Sequence, residues 1–506
     1  MRRVAFSFLA LLLFAGACTR PPPPPAGAIV IGMTNSALDL DPRVATDEAS
    51  QKVQQLIFST LMRIDGNLKI VPELAESLDQ PDPVTYIARL RRGVRFQNGR
   101  ELTARDVLYT FRSLIDPAFR GRTAAYRLLG AIDAIDDYTV KFTLKEPYAS
   151  FPINFVMGIV QDGSGAANSR QPIGTGPYRL ASFVPDDQVV LTPFAGYFKG
   201  APSNDGIVIK VIPDDTMRGL ELRKGAVDIV VNDLAPDIAA QLQKEGNLKV
   251  VTAPGTDYAY LGMNLHDPML ARADVRRAIG YAIDRDAIVS YLRRGFATTA
   301  VGIVPPMSWA FEKDVFAFRY DPAEARRLLD GAGIPDPDGD GPHSRFAMTL
   351  RTSTSETYRV QAAVIQHDLA RVGIHVEVRS TELPTLLNDA ARGNFQLYTL
   401  QFVGVTDPDM LRRVFHSNQQ PPAGLNRVFY RRPEVDHLIE QAALPASEDA
   451  RRALYAQAQQ MIADDVPYIP LWYRTNVAVC QADIFGVSLT PIAELTFLKD
   501  VYRKRP

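Results

Sequence analysis

The chain has 506 residues, 46% hydrophobic and 22% charged, the composition of a globular protein too long for one compact core. Its 56 basic residues are balanced by 57 acidic ones, interspersed rather than blocked, which excludes nucleic acid as the main partner. Two cysteines, Cys18 and Cys480, exclude a disulfide scaffold and a cysteine-rich metal site.

At the amino terminus, Arg2 and Arg3 precede an apolar run over residues 4–14 and then Ala15-Gly16-Ala17-Cys18. This is the pattern of a secretory signal over residues 1–17, too short to span a bilayer comfortably. Small residues before a cysteine resemble the bacterial lipoprotein signal, in which Cys18 would be acylated; simple secretion with cleavage near Ala17 is the alternative. Five prolines, Pro21 to Pro25, favour extended polyproline II, so residues 18–28 form a semi-rigid tether. No later apolar run approaches the ~20 residues that a spanning helix needs.

Residues 28–33 form a short apolar strand and residues 35–42 a polar turn. Residues 48–61 are expected to be helical. A hairpin turns at Asp65-Gly66-Asn67, followed by a proline-started helical turn. Residues 85–90 and 138–144 alternate as strands, and Thr103 opens a helix whose apolar face includes Val107, Leu108 and Phe111. Residues 163–169 form a loop. The Gly- and Pro-rich run 172–180 is a rigid turn feeding a strand. Strand 208–212, helix 215–224 and strand 227–231 have the spacing of a βαβ unit with a parallel pair. Residues 257–264 alternate as a strand. Val275, Ala278, Ile279, Ala282 and Ile283 then share one helix face, with Asp274 as N-cap. Asp284 caps a second short helix that Gly295 ends. A helix entered through Asp321-Pro322, a strand at 346–351, a helix over 357–372 packing through Val360, Ala363, Val364 and Leu369, a strand at 374–378 and a helix over 385–392 complete the alternation. The class is therefore α/β.

Few residues carry recognisable chemistry. Residues 336–341, DPDGDG, open like a calcium loop, but Ala347 stands where a bidentate Glu is needed, which favours a solvated turn. Six histidines form no ligand pair, so no metal is assigned. No nucleophile elbow, phosphate loop or dinucleotide fingerprint is present, so neither catalytic residues nor a cofactor is assigned and the chain is expected not to be an enzyme. Tyr258 and Tyr260 share one strand face, lining a pocket or packing into a core. Trp472 and Tyr473 have the same two possibilities. Asp407, before Pro408, is either a helix cap or a ligand contact. Cys480 is expected to be a buried thiol.

Six phrases in order carry a family resemblance: LIFSTLMRIDGNLKIVPELAESL, RLRRGVRFQNGRELTARDVLYTF, DDYTVKFTLKEP, PIGTGPYRL, DVRRAIGYAIDRDAIV and DDVPYIPLWYRTNVAV. Together they resemble the extracytoplasmic solute-binding proteins of the dipeptide/oligopeptide/nickel class (family 5), the receptors of ATP-driven importers. The resemblance implies a two-lobed, periplasmic-binding-protein-like α/β fold of type II with an additional domain. Residues 29–42, 172–255 and 477–506 would form lobe I, 43–171 the additional domain and 256–476 lobe II. It implies a monomer, anchored outside the cytoplasm through Cys18, that delivers a peptide or similar solute to an ABC permease. The ligand contacts it suggests are Asn35, Tyr258, Tyr260, Gln401, Phe402, Asp407, Trp472 and Tyr473. The peptide receptors resembled carry W-x-x-D before the Asp-Pro, the Asp pairing with the peptide amine. Here those positions are Gln401 and Gly404, which opens the alternatives of a sugar-derived or N-blocked ligand, or of a sensor or scaffold without transport.

Overall fold

The computed structural model describes residues 25–339 and 341–504. The signal segment, Cys18 and the first part of the tether lie outside the described residues. The strands are β1 (Ile29–Met33), β2 (Met62–Ile64), β3 (Ile70–Pro72), β4 (Ala75–Asp82), β5 (Thr85–Leu90), β6 (Leu129–Asp136), β7 (Thr139–Leu144), β8 (Tyr178–Val184) and β9 (Gln188–Pro193). They continue with β10 (Ile207–Val211), β11 (Ile229–Val231), β12 (Leu248–Met263), β13 (Ala297–Thr299), β14 (Phe346–Ser353), β15 (Ile374–Thr381), β16 (Leu397–Phe402) and β17 (Tyr468–Gln481).

One mixed sheet runs through two lobes in the order β15-β14-β16-β12-β17-β11-β1-β10-β9-β8, with β13 beside β17. Its two longest strands, β12 of 16 residues and β17 of 14, pair antiparallel and belong to both lobes. At one end they pair as Leu248↔Gln481 and Val251↔Ala478, beside β11 and β1; at the other as Leu261↔Ile469, beside β16. The first lobe's core gathers Ile29, Ile31, Tyr178, Ile207, Ile229, Ala478 and Cys480. The second lobe has a core on each side of its sheet, one around Leu261, Ile279, Ile365 and Trp472, the other around Tyr258, Tyr260, Tyr398 and Phe402. A separate antiparallel sheet, β4-β5-β7-β6, packs with the helix Ala104–Ile115 around Phe111, Phe142 and Phe155.

Most expected elements are present. The Asp65 hairpin joins β2 and β3. Thr103 precedes the helix Ala104–Ile115, with its N–H donating to the Asp106 carboxylate at 2.9 Å. Asp321 caps the helix Pro322–Gly331, and Asp284 accepts from the Ala287 N–H at 2.9 Å. Gly295 follows with φ of 78°, in the left-handed region.

Five expectations are corrected. The segment after Pro72 is no helical turn: it is the edge strand β4, held by pairing with β5, and Pro81 is tolerated because an edge strand leaves donors unused. The helix expected over 48–61 ends at Ile57, because the Ile57 carbonyl accepts from Gly176 N–H at 2.8 Å and from Gln97 Nε2 at 2.9 Å. The glycines of the 172–180 turn follow from the same approach, since a Cβ at Gly174 would stand 2.0 Å from the Ile57 oxygen. In the βαβ unit, β10 and β11 run in the same direction, but β1 lies between them and pairs with both. Asp274 sits in the first turn of the helix Ala273–Ala282 and Arg272 is the cap. Finally, the helix Glu356–Ala370 buries Gln361, Ala362, Ile365, Asp368 and Leu369, while Val360 is exposed. Two polar residues occupy that inner face because each has a partner: Gln361 bonds Thr399 and Trp472, and Asp368 accepts from Asp284 N–H.

Candidate functional site

The cleft between the lobes follows from strand direction. β1 and β11 are parallel, so the segments after Met33 and Val231 leave the sheet on the same side. Thr34 Oγ1 donates to Asp233 at 2.9 Å, and Lys52 reaches Asp233 at 3.5 Å. From the second lobe, β16 pairs Phe402 with Tyr258, and so brings residues 403–405 to the crossing. There Val405 N–H donates to Thr256 O and Gly404 N–H to the Asp257 carboxylate at 3.0 Å. Leu38 and Val403, on these two rims, are exposed by 70% and 65%.

The crossing itself is irregular. The register of β12 against β17 shifts between Pro254 and Tyr258, which relaxes two strands that must bend together. A Cβ at Gly255 would lie 2.6 Å from the Arg474 carbonyl oxygen, so a side chain is excluded there. Asn232, at a φ of 62°, ties the crossing to the first lobe. Its carbonyl accepts from Arg474 Nη2 at 2.6 Å, and its side chain bridges Asn476 Oδ1 and Val477 N–H.

The eight suggested contact residues do not form one group. Tyr258, Tyr260, Phe402 and Tyr473 lie on one face of the second lobe's sheet and are buried. Tyr260 stacks on Phe402 with ring centres 4.8 Å apart and meets Tyr468 edge-on at 4.5 Å. Burial pushes the Tyr258 and Tyr260 phenols well above their ordinary values. Tyr473 Oη donates to the Gly302 carbonyl at 2.6 Å. Gln401 and Trp472 lie on the opposite face, both aligned with Ala259. Trp472 is buried, its Nε1–H donating to Gln361 Oε1 at 3.0 Å. Asn35 is exposed on the first-lobe rim. Asp407 accepts from Asp409 N–H at 2.8 Å, outside the helix Met410–Phe415. It lies in the contact with the additional sheet's domain, where Tyr148 Oη donates to Asp409 at 2.5 Å and Ala149 N–H to Ala443 O. Burial pushes the Asp409 carboxyl up to about 6, and Asp407 also rises through burial.

The residues that sequence reasoning missed are charged. Arg474 pairs with Asp257 at 3.4 Å across the strand crossing. Arg293 lies with its guanidinium carbon 4.2 Å from the Trp472 ring centre, and burial, then the like charge of Arg474, push it down to about 10. Burial raises the Tyr358 phenol to about 12, with Arg293 and Arg474 acting in the opposite direction. Burial raises the Glu48 carboxyl, but Lys52 and then Arg474 outweigh it and hold it below its ordinary value. An acidic residue in the middle of β12, Asp257, and a basic one in the middle of β17, Arg474, were the available signal. Nothing in the apolar period distinguished Arg293 from its exposed neighbour Arg294.

Two other features stand apart from the cleft. A small apolar cavity lined by Tyr258, Ile303, Phe311, Phe415 and Tyr468 lies wholly within the second lobe. In the Asp336–Gly341 loop, Asp338 accepts from the His343 ring at 2.6 Å and Asp336 faces Arg345. Asp340 lies outside the described residues. Among the described residues no helix is long and apolar enough to cross a membrane.

A two-lobed α/β protein with a polar strand crossing between its lobes is built to enclose a solute. Residues 69–421 match the family described as bacterial extracellular solute-binding proteins, family 5. The chain is 30% identical to the oligopeptide-binding protein AppA of Bacillus subtilis, over 93% of this chain and 90% of that one. It is also 30% identical to the glutathione-binding protein GsiB of Escherichia coli (strain K12), over 98% of each. The periplasmic binding protein DppA from Helicobacter pylori, solved with the peptide STSA, superposes with a TM-score of 0.79 at 27% identity, over 95% of this chain and 98% of that chain. The protein belongs to the family 5 extracellular solute-binding proteins, which are receptors rather than enzymes.

Proposed function

We propose that the protein is a lipid-anchored receptor that captures a peptide or similar small solute between its lobes and passes it to an ATP-driven permease. Lobe I would comprise residues 29–42, 172–255 and 477–506, lobe II residues 256–476, and residues 43–171 the additional domain. The observation that carries this reading is the passage of β12 and β17 from one lobe's core into the other's, with Gly255 and a register shift at the crossing. Two strands joined this way allow closure about a hinge, and the exposed Leu38 and Val403 lie where closure would cover them. Relatives named for oligopeptide and glutathione binding support the solute class. Acylation of Cys18, with the proline tether behind it, would hold the receptor at the membrane.

Gln401 and Gly404 occupy the positions where peptide receptors carry the Trp and the amine-binding Asp, which favours a second reading: an N-blocked or non-peptide solute. Asp407 and Asp409, the nearest carboxylates on that segment, are engaged towards the additional domain. Native mass spectrometry of protein purified without refolding, with identification of the released molecule, separates the two readings. A mixture of free-amine peptides supports the first; a single N-blocked or non-peptide species supports the second. Cys18→Ala should release the protein from membranes. Retention of that variant would remove the anchor from the proposal.

A further inference from the structure

Arg293 is the least satisfied charge in the cleft. It is 9% exposed, and among the described residues its side chain has no hydrogen bond and no ion pair. Its Nε is buried without an acceptor. A buried guanidinium is normally matched by a carboxylate or several carbonyl oxygens, because leaving water unpaired is costly. Arg276 and Arg285, equally buried in the same lobe, show the contrast: each donates to three or more backbone carbonyls.

Nor is Arg293 loosely placed. It follows the short helical turns that Asp284 caps, and its guanidinium lies over the Trp472 ring. Trp472 is fixed in turn by Gln361, and Gln361 by Thr399 at 2.8 Å. A cation is thus held against Trp472 with no side-chain hydrogen bond or ion pair among the described residues. A small recess opens at this point, lined by Arg293, Arg474, Asn232 and Phe296. Arg293 and Arg474 bring two positive charges, and Asp257, already bonded to Arg474 and to Gly404 N–H, brings one negative. Lys52 is matched by Glu48 and Asp233, and Arg474 by Asp257, so Arg293 is left as the cation without an ion-pair partner among the described residues.

We propose that Arg293, assisted by Arg474, is the subsite for a carboxylate of the solute, so that the ligand class is acidic small molecules anchored by their acid end. A planar guanidinium offers two parallel N–H groups to a carboxylate, a match that an amide or a sugar hydroxyl lacks. Trp472 lies under the guanidinium and holds it in place by a cation–π contact. The proposal rests on the reading of the cleft as the solute site.

The test uses matched pairs of probes: glutathione, free tripeptides and N-acetyl dipeptides, each as the carboxylic acid and as its carboxamide. Binding is read by thermal shift and calorimetry on the wild type, Arg293→Gln, Arg293→Lys and the neighbouring control Arg294→Gln, whose arginine pairs with Asp237 outside the recess. Since the chain has only two tryptophans, Trp309→Phe leaves Trp472 as a fluorescence reporter of the subsite. The expected result is that acids bind at least about tenfold more tightly than their amides, as loss of a charge-assisted pair requires. Arg293→Gln abolishes that preference, Arg293→Lys restores part of it, and Arg294→Gln leaves it intact; acid binding changes Trp472 emission. Equal binding of acids and amides, or acid preference that survives in Arg293→Gln, overturns the proposal while leaving the cleft reading in place. If probes bind with no change in Trp472 emission and protect only the cavity inside the second lobe, the cleft reading itself fails. Melting of Arg293→Gln in the absence of probe should match or exceed wild type, because the variant removes an unpaired buried charge.

Discussion

From the same three strands, β12, β16 and β17, the second lobe builds two different surfaces. On one face Tyr258, Tyr260, Phe402 and Tyr473 close upon each other, and Tyr260 alone meets the rings of Tyr258, Tyr398, Phe402 and Tyr468. On the other, Gln401 and Trp472 lead towards Arg293 and Arg474, where the packing stops and a recess opens. The aromatic face packs its rings against one another within the lobe, and the hydroxyls of Tyr260, Tyr398 and Tyr468 form a chain of hydrogen bonds. The charged face is not closed in this way: its cation has no partner among the described residues and its rim leaves Val403 exposed. An aromatic residue in a strand is thus weak evidence for a binding wall, whereas an unpaired buried charge at a strand crossing is strong evidence for a missing ligand.

Substitutions on the two faces should separate stability from binding. The largest effect is expected for Tyr260→Ala. Truncating a buried aromatic costs about 3–5 kcal/mol, and each ring pair adds about 0.5–1.5 kcal/mol. Urea denaturation should show a loss in that range, with any binding defect explained by unfolding.

Gly255→Ala should follow, at about 1–3 kcal/mol. The new methyl meets the Arg474 carbonyl oxygen at the crossing. Small-angle scattering should also find a smaller ligand-induced compaction than in wild type. An unchanged compaction would remove the crossing from the closing motion.

A smaller effect, tied to pH, is expected at the contact between the additional domain and lobe II. The Asp409 carboxyl rises from 3.8 to about 6, chiefly through burial. The folded protein therefore favours its protonated form. Its contribution is complete below 3.8 and is lost as pH rises through about 6. Asp409→Asn keeps an acceptor for Tyr148 and cannot ionise, so above that range it should be more stable than wild type by about 1–2 kcal/mol. The advantage should shrink on acidification. A constant difference across the range would show that Asp409 is not the titrating group.

The smallest stability effect belongs to the open rim. Val403→Ser should change stability by no more than about 0.5 kcal/mol yet weaken solute binding in calorimetry. Unaltered affinity would place the solute elsewhere.

Much of the fold was legible where a local signal and tertiary packing agree. Asp284 and Asp321 announce helices that they do cap, and the alternation of residues 85–90 survives as β5. Signals failed where a distant partner decided the outcome. The strand β4 exists because β5 pairs with it, and the helix after Asp47 ends early because Gly176 and Gln97 claim the Ile57 carbonyl. The inner face of the helix Glu356–Ala370 was misread because Gln361 and Asp368 look exposed until Thr399, Trp472 and Asp284 are known to meet them. The same limit governs the site. Trp472 was visible as an aromatic, but its role as the plane beneath Arg293 depends on residues far apart in the chain.

The most direct test of the central claim is amide hydrogen exchange with and without bound solute. Enclosure between the lobes predicts simultaneous protection of residues 34–38 and 232–234 in the first lobe and of 403–406 and 474–476 at the crossing. Protection confined to the cavity lined by Ile303, Phe311 and Phe415, with the first-lobe segments unchanged, would contradict it.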